Sequence, residues 1–264
     1  MTTVALDTGV GPLLRSWREQ RRISQLELAL RADSSARHIS FIETGRSRPS
    51  EEMILRLAEH LDIPVRERNA LLVMGGYAPR FARTALDDPS MGVLREAIDR
   101  LLACYDPYPA LVLDAMYTVV AANRGMRLLL DGVSERLLTP PVNAMRLTLH
   151  PDGLAPRILN LPEWRADLLA QMERQIALAR SAELRALYDE VAAYPADPAG
   201  TAAATGVPSL ALPLRIAHGE RELSFISSIA TFNTPMDITV AELAIETFLP
   251  ADRATAAYLH TLMP

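Results

Sequence analysis

Apolar residues recur at helical spacing through the first quarter of the chain, in five short segments separated by residues that favour turns. Where the second segment begins, Ser24 followed by Glu27 is the capping-box pattern, in which the serine caps a helix and the glutamate reaches back. Gly45 suits the position just past the end of the third segment. The pattern therefore predicts an all-α domain of five helices over residues 11–76. The helices are predicted at about 12–22, 25–32, 36–44, 49–61 and 65–74.

The pattern changes after residues 77–89, a polar segment with two prolines that we interpret as a linker. Over residues 90–264, apolar and β-branched runs alternate with stretches of helical periodicity. This alternation predicts a multi-domain chain whose second domain is α+β, with an antiparallel sheet and helices to one side of it. Strands are predicted at about 110–113, 117–121, 209–217, 223–232 and 243–249, and helices at about 89–105, 124–130, 162–193 and 250–262.

The charge of the chain is distributed unevenly between these two parts. The 264 residues include 27 arginines, 32 acidic residues and no lysine. Residues 11–83 hold 13 arginines against 9 acidic residues, whereas residues 84–264 hold 14 arginines against 22. A basic module on an acidic body is typical of a small nucleic-acid-binding unit joined to a domain with another role.

The second and third predicted helices, joined by a turn at residues 33–35, have the arrangement of a helix-turn-helix, whose second helix enters the major groove of DNA. Arg37 is a candidate for a bidentate contact to guanine, although a phosphate contact or plain solvation is the alternative. A helical hairpin that binds no DNA is the alternative for the whole module. The residues predicted to contact DNA are Gln25, Ser35, Ala36, Arg37, His38, Ser40, Phe41, Arg46 and Arg48.

The run from Ser24 to Ser50 resembles the Cro/C1-type, or XRE-family, helix-turn-helix. The matching residues are Ser24, Gln25, Leu28, Ala29, Ala32, Ile39, Ile42, Glu43, Gly45, Arg48, Pro49 and Ser50. The resemblance implies a five-helix DNA-binding domain that places Gln25 and residues 36–41 on double-stranded DNA.

Three later runs, at residues 109–130, 143–153 and 224–252, resemble the MmyB-like transcription regulators and their C-terminal, PAS-like ligand-binding domain. The resemblance implies a cavity for a fatty acid or a similar small apolar ligand, and a role in sensing that ligand. Two departures stand out. Asn233 replaces a usual glycine, which puts a turn geometry in doubt, and Met116 and Met126 replace more polar residues, which is compatible with an apolar pocket.

A carboxylate inside an apolar site needs a cationic partner. Arg146 and His150 lie four residues apart and would share one face of a helix, so they are candidates to hold such a head group. Asn123 and Met126 are further candidates near the predicted strands. The alternative is structural: Arg146 pairs with an acid of the protein such as Asp152, and His150 caps a turn.

Catalysis and metal binding find no support in the sequence. The five histidines show no metal-ligand spacing, and no nucleophile elbow or phosphate-binding loop occurs. With Cys104 as the only cysteine, no intrachain disulfide can form. Without a signal-peptide pattern or an apolar run of membrane-spanning length, we expect a cytoplasmic protein, associated with the nucleoid when bound to DNA.

These observations favour a sequence-specific transcription regulator, not an enzyme, that acts as a homodimer without a membrane partner or resident cofactor. In this interpretation the second domain senses a small apolar ligand. The alternative keeps the DNA-binding module and makes the second domain a ligand-free module for dimerisation or protein interaction.

Overall fold

The computed structural model describes residues 9–179, 181–195, 211–233 and 235–263. The chain forms two compact units, with the main boundary between Arg83 and Thr84. The interpreted linker, residues 77–89, crosses this boundary. Its first part is tied to the helical unit, because Asn69 Oδ1 accepts hydrogen bonds from the backbone N–H groups of Arg80 and Phe81.

The first unit is helical, as predicted. Its helices are α1 (Val10–Gln20), α2 (Gln25–Arg31), α3 (Ala36–Glu43), α4 (Glu51–His60) and α5 (Val65–Met74). Ser24, Ser35 and Ser50 cap α2, α3 and α4, each accepting a backbone N–H three residues on. The predicted return bond from the Glu27 side chain to the start of α2 does not form among the described residues, because the Glu27 carboxylate pairs with Arg31.

Helix α1 packs closely against the end of α3. A Cβ atom on Gly11 would come within 2.2 Å of the backbone oxygen of Ile42, so only glycine fits at this crossing. Trp17 and Ile39 are among the fully buried side chains of the core beneath. The close approach fixes α3 on the core and leaves its opposite face open.

The second unit contains one antiparallel sheet. Its strands follow the order β2-β1-β5-β4-β3, so the last strand along the chain lies in the middle. The strands are β1 (Ala110–Leu113), β2 (Val119–Ala122), β3 (Leu214–His218), β4 (Arg221–Thr231) and β5 (Ala244–Pro250). The antiparallel arrangement agrees with the prediction. Residues 209 and 210 of the predicted third strand lie outside the described residues.

The α-helices that follow Thr84 in the described chain are α6 (Gly92–Tyr105), α7 (Glu135–Leu138), α8 (Ala144–Leu149), α9 (Leu161–Ala179), α10 (Ala182–Ala192), α11 (Ile238–Ala241) and α12 (Arg253–Leu262). All belong to the second unit except Ile238 at the start of α11, which belongs to the first. The long predicted stretch at 162–193 corresponds to α9 and α10, and Ser181 caps α10 by accepting the Leu184 N–H. Residues 124–129, predicted as an α-helix, form a 3-10 helix instead.

Helices cover both faces of the sheet, so the expectation of helices on one side is wrong. Successive residues of β1 point to opposite faces. Val112 packs with Ile98 of α6 on one face. Leu111 belongs to the larger core on the other face, together with Met172 of α9 and Leu187 of α10. This second face also borders an internal cavity of the unit.

Candidate functional site

The open face of α3 carries four of the predicted DNA-contact residues. Ile39 and Ile42 are buried, which turns Arg37, His38 and Phe41 away from the core. Ser40 shares this partly exposed surface, whereas Ala36 packs against the edge of the core. Ser35 is occupied as the cap of α3, since its Oγ accepts the His38 N–H at 3.1 Å.

Two arginines flank the partly exposed aromatic ring of Phe41 on α3. The guanidinium of Arg37 lies 5.2 Å from the centre of the Phe41 ring, and that of Arg46 lies 6.0 Å from it. Such cation–π contacts hold a guanidinium over the ring without neutralising its charge. Among the described residues, neither arginine forms an ion pair. Both charges therefore remain available to an anionic partner.

A buried network holds Gln25 in place. Arg18 donates two hydrogen bonds to Glu43, at 2.6 and 2.8 Å, and a third to the backbone oxygen of Ile23. Gln25 Nε2 donates to the same carboxylate at 2.8 Å. The pairing with Glu43 raises the pKa of Arg18. Gln25 thus has its amide N–H engaged with the protein, at the start of α2.

Arg48, predicted as a phosphate contact, has a structural role. Its Nε and Nη2 atoms donate to the backbone oxygen of Gly75 at 3.2 and 2.9 Å. Its guanidinium lies 5.5 Å from the centre of the Tyr77 ring. These contacts tie the loop after α3 to the end of α5, while Arg48 stays exposed, so its contact with DNA stays a prediction.

The second unit encloses a cavity of about 520 Å³ against the sheet face that carries Leu111. Most of the side chains in its wall are apolar. The wall consists of Leu111, Thr118, Val119, Ala122, Met126, Leu129, Leu130, Leu138, Pro140, Pro141, Val142, Ala144, Met145, Leu147, Thr148, Leu154, Trp164, Leu168, Leu214, Glu246 and Phe248. The volume falls in the ~300–1,000 Å³ range of small-molecule sites.

Glu246 is the one ionisable side chain in this wall, as far as the described residues show. It lies on β5, and Ser227 Oγ of β4 donates a hydrogen bond to its Oε1 at 2.7 Å. Burial raises the pKa of the Glu246 carboxyl, and the bond from Ser227 opposes that rise. The cavity is therefore an apolar space with a single acidic group.

Of the four residues predicted to bind ligand, Met126 lies in the cavity wall and the other three do not. Arg146 donates two hydrogen bonds to Glu190, at 2.8 and 2.7 Å, so the structural alternative holds with a different acid from the one expected. His150 Nδ1 accepts the Asp152 N–H at 2.9 Å, as in the expected turn cap.

Asn123 is also structural. Its Oδ1 accepts the backbone N–H groups of Ala110 and Met126, and its Nδ2 donates to the backbone oxygens of Leu102 and Tyr108. The bond from Met126 caps the 3-10 helix at residues 124–129. The residue joins α6, β1 and the start of that helix, and its amide has no capacity left for a ligand.

The sequence reasoning missed Glu246, although a signal was present. Ile245, Thr247 and Leu249 alternate along β5, which places Glu246 and Phe248 on the opposite face. An acidic residue between apolar neighbours on a core-facing side indicates a functional or paired group. Trp164, interpreted as a packing residue, is buried and also borders the cavity.

Comparison with known proteins assigns both units. A family model described as "Helix-turn-helix" matches residues 14–68. A second, described as "MmyB-like transcription regulator ligand binding domain", matches residues 94–262, more than half of the chain. The chain belongs to the MmyB-like transcription regulators. This MmyB-like regulator is accordingly a DNA-binding transcription regulator with a ligand-binding domain, and the two matched families are regulatory, not enzymatic.

The other comparisons add little about this MmyB-like regulator. No curated protein matches it. A solved structure described as "Structure of an RNA-binding Light-Oxygen-Voltage Receptor" is 12% identical, with a TM-score of 0.29 over 98% of this chain. The regulator spans 63% of the length of that protein. A likeness this low carries no argument.

Two general searches of the described residues of the MmyB-like regulator complete the picture. None of its described helices is both long and apolar enough to cross a bilayer. The same residues contain no cluster of histidine, cysteine and acidic side chains that would hold a metal ion.

Proposed function

We propose that this regulator recognises a specific DNA sequence through α3, and that a small apolar molecule in the cavity of its second unit changes its affinity for that sequence. The observation that carries the proposal is the apolar cavity of about 520 Å³ in the unit matched to a ligand-binding domain. A ligand-free dimerisation module, the alternative, has no need of such a space, and native interiors are otherwise close-packed.

On the DNA side, the exposed face of α3 supplies the reading groups. Arg37, His38 and Ser40 offer polar atoms for base edges, and Arg37 has the planar fork that fits guanine O6 and N7. Arg46 lies just beyond the helix, where a phosphate contact fits best. Phe41 holds both guanidinium groups near one spot before DNA arrives, which reduces the entropy lost on binding.

Ligand binding and DNA binding are coupled by thermodynamic linkage. A ligand changes DNA affinity only as far as it binds one conformation of the protein better than another, and DNA then changes ligand affinity by the same factor. The sheet order and the enclosed apolar space support PAS-like sensing as the form of this coupling. We further propose a homodimer, since one module covers few base pairs and two-fold partners place their α3 helices about 34–36 Å apart.

The DNA proposal is tested with duplexes selected from a random pool on the wild-type protein. Arg37→Ala is expected to lose ~1–3 kcal/mol of binding to the selected site and to relax preference at one base pair. Arg46→Ala is expected to weaken all sequences alike and to reduce the salt dependence. Fluorescence anisotropy measures both, with Arg100→Ala in the second unit as the control. If both variants bind as the wild type does, α3 is not the reading helix.

The ligand proposal is tested by native mass spectrometry of the purified protein, followed by DNA titrations with and without the molecule found. A stoichiometric small molecule whose removal shifts DNA affinity supports sensing. Protein that carries no molecule, takes up no apolar compound and binds DNA as a dimer would instead favour the dimerisation module. The selected duplexes report symmetry separately, because a dimer requires an inverted repeat.

A further inference from the structure

Few polar side chains line the cavity wall. Besides Glu246, its side-chain oxygens belong to Thr118 and Thr148. No arginine or histidine of the described chain lies in the wall. The nearest sequence candidate for a cation, Arg146, directs two of its guanidinium nitrogens to Glu190. A ligand therefore meets one carboxyl group, two hydroxyl groups, the Trp164 ring with its indole N–H, and an otherwise apolar surface.

Glu246 is held at a defined place in this wall. Its strand lies between β1 and β4, and it pairs across the sheet with Leu111 on one side and Ile229 on the other. Ser227 occupies one carboxylate oxygen. Within the described residues, the other oxygen, Oε2, takes part in no hydrogen bond. An acceptor that lacks a donor in an apolar space is costly, so a bound donor would lower the free energy of the site.

A buried tyrosine of the same unit also lacks a hydrogen-bond partner in the part of the chain that the structure describes. Tyr117 is buried, and no described residue forms a hydrogen bond with its hydroxyl. Burial raises the pKa of this hydroxyl to about 12, with the charge of Glu246 as the second cause. An anion placed in this wall would meet the same desolvation, with no cation of the described residues to offset it.

Building on the ligand-binding function proposed above, we propose that the cavity takes an apolar molecule whose head group is not an anion and donates a hydrogen bond to Glu246. Long-chain alcohols, amides and protonated amines share this chemistry. A fatty-acid carboxylate, which the family resemblance implies, does not. The apolar part of such a ligand would lie against Met126, Leu168 and Phe248.

The test compares three molecules with the same chain and different heads: decylamine, decanol and decanoic acid. Calorimetry at neutral pH measures their affinities for the full-length wild type, for Glu246→Gln and for Glu220→Gln. Glu220 is an exposed glutamate in the turn between β3 and β4, so its variant makes the same substitution outside the cavity wall. Decanol carries no charge and controls for general attraction of the amine to an acidic protein.

We expect the wild type and Glu220→Gln to bind decylamine and decanol at least about tenfold more tightly than decanoic acid, because the carboxylate of decanoic acid would be buried with no cation of the described wall beside it. Glu246→Gln should bring the three affinities within a few fold of one another. Tightest binding of decanoic acid by the wild type would overturn the inference, as would an unchanged order in Glu246→Gln.

The outcomes separate this inference from the proposed function. If decanoic acid binds best and shifts DNA affinity, ligand sensing stands and only the head-group assignment fails. If none of the three molecules binds and the purified protein carries none, the ligand-binding proposal fails and the inference fails with it. Thermal melting checks the fold of Glu246→Gln, and should that variant not fold, the wild-type order of affinities alone decides.

Discussion

Arg18 and Arg146 each donate two hydrogen bonds to a glutamate, but the two pairs lie in different surroundings. The Arg18–Glu43 pair is enclosed in the helical unit, with side-chain exposures of 10% and 2%. The Arg146–Glu190 pair lies at the surface of the second unit, with exposures of 44% and 40%. The first unit therefore buries charge together with its partner, whereas the second keeps paired charge outside and leaves one carboxyl in its cavity wall.

This difference separates two uses of polar groups. In the helical unit the buried pair and Gln25 join α1, α2 and α3, so charge contributes to the position of the reading helix. In the second unit apolar packing forms the larger core, buried Asn123 joins α6 to β1, and Glu246 lacks a cationic partner among the described residues. The helical unit thus pairs its buried carboxylate with a cation, whereas the second unit leaves the Glu246 carboxyl without one.

Breaking the buried pair should produce the largest effect. Arg18→Met leaves the Glu43 carboxylate without its cation, and we expect a loss of ~3–5 kcal/mol in the free energy of unfolding of the helical unit. Urea unfolding of the full chain, followed by circular dichroism, measures it. Arg15→Met is the control, because Arg15 forms an exposed pair on the same helix and should change stability little. Equal losses in the two variants would refute the comparison.

Core truncations test whether the two units are packed differently. Leu57→Ala, in the closed core of the helical unit, should cost ~2–5 kcal/mol because it opens a new cavity. Leu168→Ala should cost less, since Leu168 already borders the existing cavity and loses fewer contacts. Calorimetric unfolding measures both. A larger loss for Leu168→Ala would mean that the cavity wall is as tightly packed as the helical core.

Arg48→Met sharpens the distinction between a structural and a DNA-contacting arginine. Removing its hydrogen bonds to Gly75 should cost about 1 kcal/mol of stability in the helical unit. Base preference and salt dependence should stay as in the wild type, unlike those of Arg46→Ala. Unfolding and anisotropy titrations on one preparation give both quantities. Unchanged stability together with a shallower salt dependence of DNA binding would show that Arg48 contacts a phosphate.

Arg146→Met should have the smallest effect. The pair is half exposed, so its contribution is below ~1 kcal/mol. Hydrogen bonds from Arg146, and then from Tyr194, lower the pKa of Glu190 to about 2, from an ordinary value of 4.5. A lowered carboxyl pKa stabilises the fold above the unfolded value, and this contribution is lost as pH falls from about 4.5 toward 2.

The variant should therefore lose less stability than the wild type over that acid range, as thermal melts at stepped pH would show. Its affinity for cavity ligands should be unchanged. If Arg146→Met selectively lowers the affinity for ligands with a carboxylate head group, Arg146 binds that head group.

Sequence reasoning worked well where structure depends on neighbours along the chain. The five helices, the Ser24 cap and the exposed face of α3 follow from local periodicity and capping, and the structure confirms the helical layout. Ile39 and Ile42 fix which side of α3 is buried, and this leaves Arg37 exposed. The hydrogen bonds from Arg48 to Gly75 escaped such reasoning, because Gly75 lies far along the chain.

The cavity was harder to predict because its wall combines distant segments. Met126, Trp164 and Glu246 come from three separate elements, and no local pattern states that they meet. Arg146 and His150 do lie on neighbouring turns, as their spacing indicated, but Glu190, 44 residues on, takes up the arginine. Spacing along a helix shows which side chains can lie near each other and says nothing about competing partners on another helix.

The order of the strands has a consequence for how the chain matures during synthesis. Helix α1 to helix α5 make contacts within one short stretch, so the DNA-binding unit can fold soon after it leaves the ribosome. β5 is made last of the described strands and yet lies between β1 and β4. Until it is inserted, β1 and β4 expose unpaired edges and the cavity lacks Glu246 and Phe248. We therefore expect nascent chains to become able to bind DNA before they become able to bind the ligand.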